Sequence, residues 1–183
     1  MSLVVVETQY DEPTSFEQMS AEEERLTPCL TARQATWQYS LLSKDRCRMI
    51  CIYKALDAES VRTGYHTARV FFSRTWGGEL LEPQNRQSQT SEISRVVLEA
   101  AYPALSPAEW AEIQSKLLHI FSQSGITGKA YRSLDRSTVV WELSGTEVEP
   151  IQEALNQADI RYNRIWTADL LNLETWASLS SAS

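Results

Sequence analysis

Basic clusters, long apolar stretches and catalytic signatures are all missing from this chain of 183 residues. Its 17 Lys and Arg are scattered among 24 Asp and Glu, which leaves a formal charge of −7. A phosphate backbone needs a basic footprint, so nucleic acid is not an expected partner. No apolar run approaches the roughly 20 residues of a membrane span, so no membrane partner is expected either. The opening Met-Ser-Leu-Val-Val-Val lacks the basic segment of a secretory signal, and the expected location is the cytoplasm. Cysteine is sparse and odd in number (Cys29, Cys47, Cys51), which fits reduced thiols rather than a disulfide framework. Cys47 and Cys51, four apart on one strand, would sit about 13 Å apart and cannot share a metal. There is no Gly-rich phosphate loop, no Gly-x-Ser-x-Gly, no His-Glu-x-x-His and no pair of Cys-x-x-Cys motifs. No strong catalytic signature is present, and the expectation leans away from an enzyme.

What the chain does have is a repeat. Asp45 to Leu81 recurs without gaps ninety residues later as Asp135 to Leu171, with eight of 37 pairs identical. Asp45/Asp135, Arg46/Arg136, Trp76/Trp166 and Arg74/Arg164 are among them. Tyr65 pairs with Leu155 as one of several like-for-like swaps. Upstream the register shifts by two and aligns Glu7 with Glu99 and Glu17 with Glu109. A unit this long is a duplicated small domain and not a solenoid repeat. The expected boundaries are 1–81 for the first copy, 82–94 for a polar linker, 95–171 for the second copy and 172–183 for a tail. That tail would hold a short helix through Trp176 and then fray.

Within each copy the order of elements can be read. Leu3–Tyr10 is a β-branched strand. A helix follows from about Ser15 to Ala32, with Thr14 and Glu17 at capping-box spacing, and Ser106-Pro107-Ala108-Glu109 opens its counterpart. Hairpins follow around Ser43–Arg46 and Leu134–Ser137, then second helices from near Asp57 and Glu147. Closing strands are expected at Val70–Trp76 and Ile160–Trp166. Each copy thus reads β-α-β-β-α-β, the ferredoxin-like arrangement, with strand order 4-1-3-2. The third strand is apolar on both sides, with Met49, Cys51 and Tyr53 on one and Ile50 and Ile52 on the other. One side can meet the helices and the other needs a separate cover. The expected fold is therefore α+β, two ferredoxin-like (βαββαβ) repeats packed as a pseudo-dimeric α+β barrel, in a monomeric chain. The run Glu22-Glu23-Glu24 reads as a solvated helix face.

Few residues could carry chemistry. His119 reads as a surface histidine, and His66 lies near a helix end where a positive ring would complement the dipole. Strands one and three are neighbours in a 4-1-3-2 sheet, which puts Glu7 and Cys51 on adjacent strands. A thiolate, an imidazole and a carboxylate (Cys51, His66, Glu7) are plausible ligands for a borderline divalent metal. The second copy keeps Glu99 but has Trp141 and Asn156 in place of Cys51 and His66. The plain alternative for Cys51 is a small buried apolar residue. Glu7 and Glu99 would pair with Arg74 and Arg164, or would face a cavity between the sheets together with Tyr131 and Trp141.

The first copy, from Leu3 to about Trp76, resembles the DUF4242 family of small bacterial domains, some described as nickel binders. The matching features are the Val-Val-Val-Glu strand, Pro28-Cys29-Leu30, Trp37 with Ser40 and Ser43, and above all Asp45 through Arg62 followed by His66. The resemblance implies a ferredoxin-like, dimerising fold and makes Cys51 and His66 candidate ligands, with Glu7 a third. Leu41 departs from the family's aromatic at that place, where the second copy has Tyr131. The leading expectation is a non-catalytic protein that binds nickel or another divalent ion. The alternatives are a small-ligand binder or αβ-barrel enzyme using the inter-sheet cavity, or a structural or regulatory interaction module.

Overall fold

The computed structural model describes residues 1–81, 94–103, 105–144 and 147–180, so nearly all of the expected linker lies outside the described residues. The chain is mixed α+β and divides into two compact units, Met1–Gly78 with Asp169–Ser183, and Glu79–Ala168. Its elements run β1 (Ser2–Gln9), α1 (Phe16–Thr31), β2 (Thr36–Ser43), β3 (Arg48–Ala55), α2 (Ala58–Ala68) and β4 (Arg74–Leu81) in the first copy. The second copy follows with β5 (Ser94–Ala101), α3 (Pro107–Gln123), β6 (Gly128–Ser133), β7 (Thr138–Ser144), α4 (Glu149–Gln157) and β8 (Arg164–Leu171). A fifth helix, α5 (Leu173–Ser180), belongs to the first unit. None of the described helices is long and apolar enough to cross a membrane.

In the first unit β1 pairs antiparallel with β3 and β4, and β3 with β2, giving the order β4-β1-β3-β2. The second unit repeats it as β8-β5-β7-β6. Register then decides which side chains share a face. Val4 lies opposite Tyr53 and Val6 opposite Cys51. These four join Leu26 and Leu30 of α1 and Val61 and Tyr65 of α2 in one buried cluster on the helix-covered face. The second unit builds its counterpart from Val96, Leu98, Trp110, Leu117, Phe121, Trp141 and Leu155.

The identical Asp-Arg pairs are the hairpin turns. Arg46 and Arg136 sit in the left-handed region, at φ 57° and 61°. The Ser43 and Ser133 hydroxyls donate to Asp45 and Asp135, 2.5 Å in each turn, and each carboxylate accepts a backbone N–H two residues on at 3.0 Å. An Asx-type turn of this kind fixes the register of the strands that follow.

Two expectations are corrected. The capping box of α1 is Ser15 with Gln18, not Thr14 with Glu17: the Gln18 N–H donates to the Ser15 hydroxyl at 3.1 Å, and the Gln18 side chain accepts from the Ser15 N–H at 2.9 Å. Glu109 holds the same place after Ser106, so the two helices align at an offset of ninety-one. The closing strands also start four residues later than expected, at Arg74 and Arg164. Arg69 and Asp159 turn left-handed after the helix, and the Val70 and Ile160 N–H groups cap it by donating to the Tyr65 and Leu155 carbonyls. Val70 and Ile160 then pack into the helix-side clusters, so their apolar character marks a helix exit and not a strand.

The observed cap makes a direct prediction. Ser15→Ala should lower the unfolding free energy by about 1 kcal/mol in urea titration. Glu17→Ala should cost less than about 0.5 kcal/mol, and the reverse ranking would restore the original cap assignment.

Candidate functional site

On the helix-covered face of the first unit lies a pocket of about 90 Å³. Its floor is the sheet, where Thr8 of β1, Ser40 of β2 and Cys51 and Tyr53 of β3 project toward the helices. All four are at most 4% exposed. Met19, Glu22 and Leu26 of α1 form one wall, and Tyr65 of α2 forms another. Trp176 of α5 completes it, packed against Phe16 at 5.1 Å and edge-on to Trp37 at 6.4 Å between ring centres. Burial raises the Glu23 carboxyl, and the neighbouring Trp176 side chain pulls it the other way.

Polar groups line the floor as a connected set. The Trp37 indole donates to Ser40 Oγ at 2.9 Å, Ser40 Oγ donates to Cys51 Sγ at 3.0 Å, and the Tyr53 and Tyr65 hydroxyls meet at 2.8 Å. Burial pushes the Cys51 thiol and the Tyr53 and Tyr65 phenols upward, so the floor is uncharged at neutral pH. Among the described residues four buried side-chain polar atoms have no hydrogen-bond partner, and two of them, Thr8 Oγ1 and Tyr10 Oη, line this pocket. An unmatched buried hydroxyl costs about 1–3 kcal/mol. The pocket exceeds the ~10–15 Å³ that one water needs, so a guest can satisfy both hydroxyls.

The second unit is apolar at the equivalent positions. At an offset of ninety, Cys51 becomes Trp141, Ser40 becomes Ala130, Tyr53 becomes Leu143 and Tyr65 becomes Leu155. At the helix offset of ninety-one, Met19 becomes Trp110, Glu22 becomes Ile113 and Leu30 becomes Phe121. Trp141 is 2% exposed and meets Phe121 edge-on at 5.4 Å. Rings at Trp141, Trp110 and Phe121 fill space that Cys51, Met19 and Leu30 leave open, and Ala130, Leu143, Leu155 and Ile113 remove the polar groups. The result is a pocket in the first copy and an apolar core in the second.

The expected metal trio does not assemble. Glu7 lies opposite Ile50 in the β1–β3 register, one residue out of phase with Cys51, and so occupies the other face of the sheet. There it accepts from the Trp76 indole at 2.5 Å. His66 is exposed on α2 and rests against Phe72 at 5.2 Å. Among the described residues no group of three His, Cys, Asp or Glu side chains is placed to hold a metal ion. The expected cavity set divides in the same way. Glu99 and Tyr131 both lie opposite Val140, whereas Trp141 faces the helices. Glu99 accepts from the Trp166 indole at 2.6 Å and pairs with Arg164 at 3.8 Å, the partner expected for it. On the same side of β7, buried Glu142 holds Arg95 at 3.4 Å and Lys129 at 3.3 Å.

Sequence reasoning missed Thr8, Tyr10, Ser40, Tyr53, Tyr65, Glu22 and Trp176 as a group. Five of them (Thr8, Ser40, Tyr53, Tyr65 and Glu22) had a signal, because the second copy is apolar at the matching place, with Ala100 standing for Thr8. Glu22, taken for part of a solvated face, is half-buried against the pocket, and that burial raises its carboxyl above the ordinary range despite an opposing pull from Arg25.

No family model and no curated protein matches the chain. Solved structures do. TA0507, provisionally described as a chlorite dismutase, aligns over 97% of both chains with TM-score 0.55 and 11% identity. An anthrone oxidase-like protein aligns over 94% of this chain and 91% of its own, with TM-score 0.53 and 10% identity. SCO4226 from Streptomyces coelicolor A3(2) covers 40% of this chain and 91% of its own, with TM-score 0.37 and 8% identity. The first two likenesses show a shared fold.

Glu22 has a pH signature. Its folded-state carboxyl binds a proton more tightly than the unfolded one, so ionising it weakens the fold as pH rises through the raised value. Glu22→Gln removes that penalty. Its melting temperature relative to the parent should therefore increase between pH 4 and pH 7, and a constant or shrinking difference would refute the burial of Glu22 in this pocket.

Proposed function

We propose that this chain is a small-molecule-binding protein whose site is the pocket of the first repeat, under α1 and α5. The observation that carries the reading is the pair of buried, unpartnered hydroxyls, Thr8 Oγ1 and Tyr10 Oη, beside a space that the second repeat fills with aromatic rings. Apolar walls with a few convergent polar groups are the usual composition of a ligand site. The ferredoxin-like character of the repeats, and their fusion as a pseudo-dimeric α+β barrel, belong to the same proposal. Whole-chain likeness to two solved structures lends that part support. DUF4242 membership of the first repeat also belongs to it, with Cys51 serving the pocket floor. Nickel binding through Cys51, His66 and Glu7 would need Glu7 to cross the sheet, so the pocket is the better-supported site.

A thermal-shift screen of small fragments against the parent protein and two filled variants tests this. Cys51→Trp and Met19→Trp each copy the residue of the second repeat. Fragments that raise the melting temperature of the parent by a few degrees should lose that effect in whichever variant folds. Equal shifts in parent and variants, or no fragment bound, would refute the pocket reading. Nickel uptake lost on His66→Ala would favour the metal reading instead.

A further inference from the structure

The pocket is lopsided in charge. Its lining holds two carboxyls, Glu22 and Glu23, and no lysine, arginine or histidine. Arg25, the cation that acts on Glu22, is not part of the lining. Rings surround the space: Tyr53 and Tyr65 are buried, Trp37 and Trp176 are part-buried, and Phe71 is 61% exposed. The floor is neutral and supplies hydroxyl oxygens, of which Thr8 Oγ1 belongs to a residue only 4% exposed and has no partner. An anion would meet two like charges and no compensating donor cation. A neutral guest would leave the half-buried Glu22 carboxylate without a counterpart in the lining. A cation meets both requirements, because ring faces attract positive charge and the carboxylates supply the opposite one. At about 90 Å³ the space admits a compact head group and not an extended molecule.

We propose that the first-repeat pocket recognises a compact organic ammonium ion, held by the Trp37, Phe71 and Trp176 rings and the Glu22 carboxylate, with the Thr8 and Tyr10 hydroxyls as polar contacts. This rests on the small-molecule reading of the same pocket and names its ligand class. The charge on Glu22 also explains why burial alone does not account for its place. In the second repeat the equivalent Ile113 joins an apolar core, whereas in the first the carboxylate waits beside a ring-lined space.

Three probes of nearly one shape separate charge from size: choline, its neutral counterpart 3,3-dimethylbutan-1-ol, and the anion 3,3-dimethylbutanoate. Calorimetric titration near neutral pH should show choline binding about tenfold or more tightly than the alcohol, with the anion weakest. Glu22→Gln should bring choline down to the level of the alcohol while leaving the alcohol unchanged. Trp176→Leu should weaken choline more than the alcohol. Alcohol or anion binding as tightly as choline would overturn the ammonium assignment while leaving a ligand pocket in place. Binding of none of the three also overturns it, and the fragment screen then judges the pocket independently.

Discussion

Strict alternation of side chains along β1 and β3 is the constraint on which the rest of this molecule depends. A strand has a period of two, so one step in register sends a residue through the sheet. Val6 opposite Cys51 puts the thiol under the helices, and Glu7 opposite Ile50 puts the carboxylate behind it. Two residues that are neighbours in strand order are thereby kept on different faces, one in a neutral polar floor and the other on the Trp76 indole. The same parity recurs in the second unit, where Trp141 and Glu99 part company in the same manner.

Duplication then gives each face a different fate in each copy. Where Trp141, Trp110 and Phe121 fill the helix-side layer, the second unit gains buried aromatic area, and truncating such a ring typically costs ~3–5 kcal/mol. The first unit forgoes that gain at Cys51, Met19 and Leu30 and leaves two hydroxyls unmatched. Departure from good packing in one copy, set against aromatic packing in the other, is in keeping with the proposed site.

Much of the architecture was legible from the repeat: the element order, the turns at Asp45 and Asp135, and the two-sided apolar third strand. Boundaries slipped where two residues competed for one role. Thr14 and Ser15 can both cap α1, and only backbone geometry selects Ser15. Val70 and Ile160 have the character of strand residues, but left-handed Arg69 and Asp159 return them to the helix. The site was half legible. The contrast of Cys51 with Trp141 is visible in the sequence, but pairing the thiol with Glu7 required a facing that strand order alone does not supply. Tyr65 against Leu155 passed as an ordinary like-for-like swap, although the phenol hydroxyl meets that of Tyr53 at the pocket. Trp176 carried no signal, since nothing in its own segment shows which unit it joins.

The place of Trp176 has a consequence in time. The pocket belongs to the first repeat, yet one of its walls comes from a helix that follows the entire second repeat. Between Phe71 and Trp176 lie more than a hundred residues. At ~5–20 residues per second, a ribosome needs on the order of ten seconds to pass from one to the other. During that interval the emerging first repeat holds its hydroxyl-lined floor and its α1 carboxylates without the closing indole. A chain cut short within the second repeat would therefore lack that wall of the pocket.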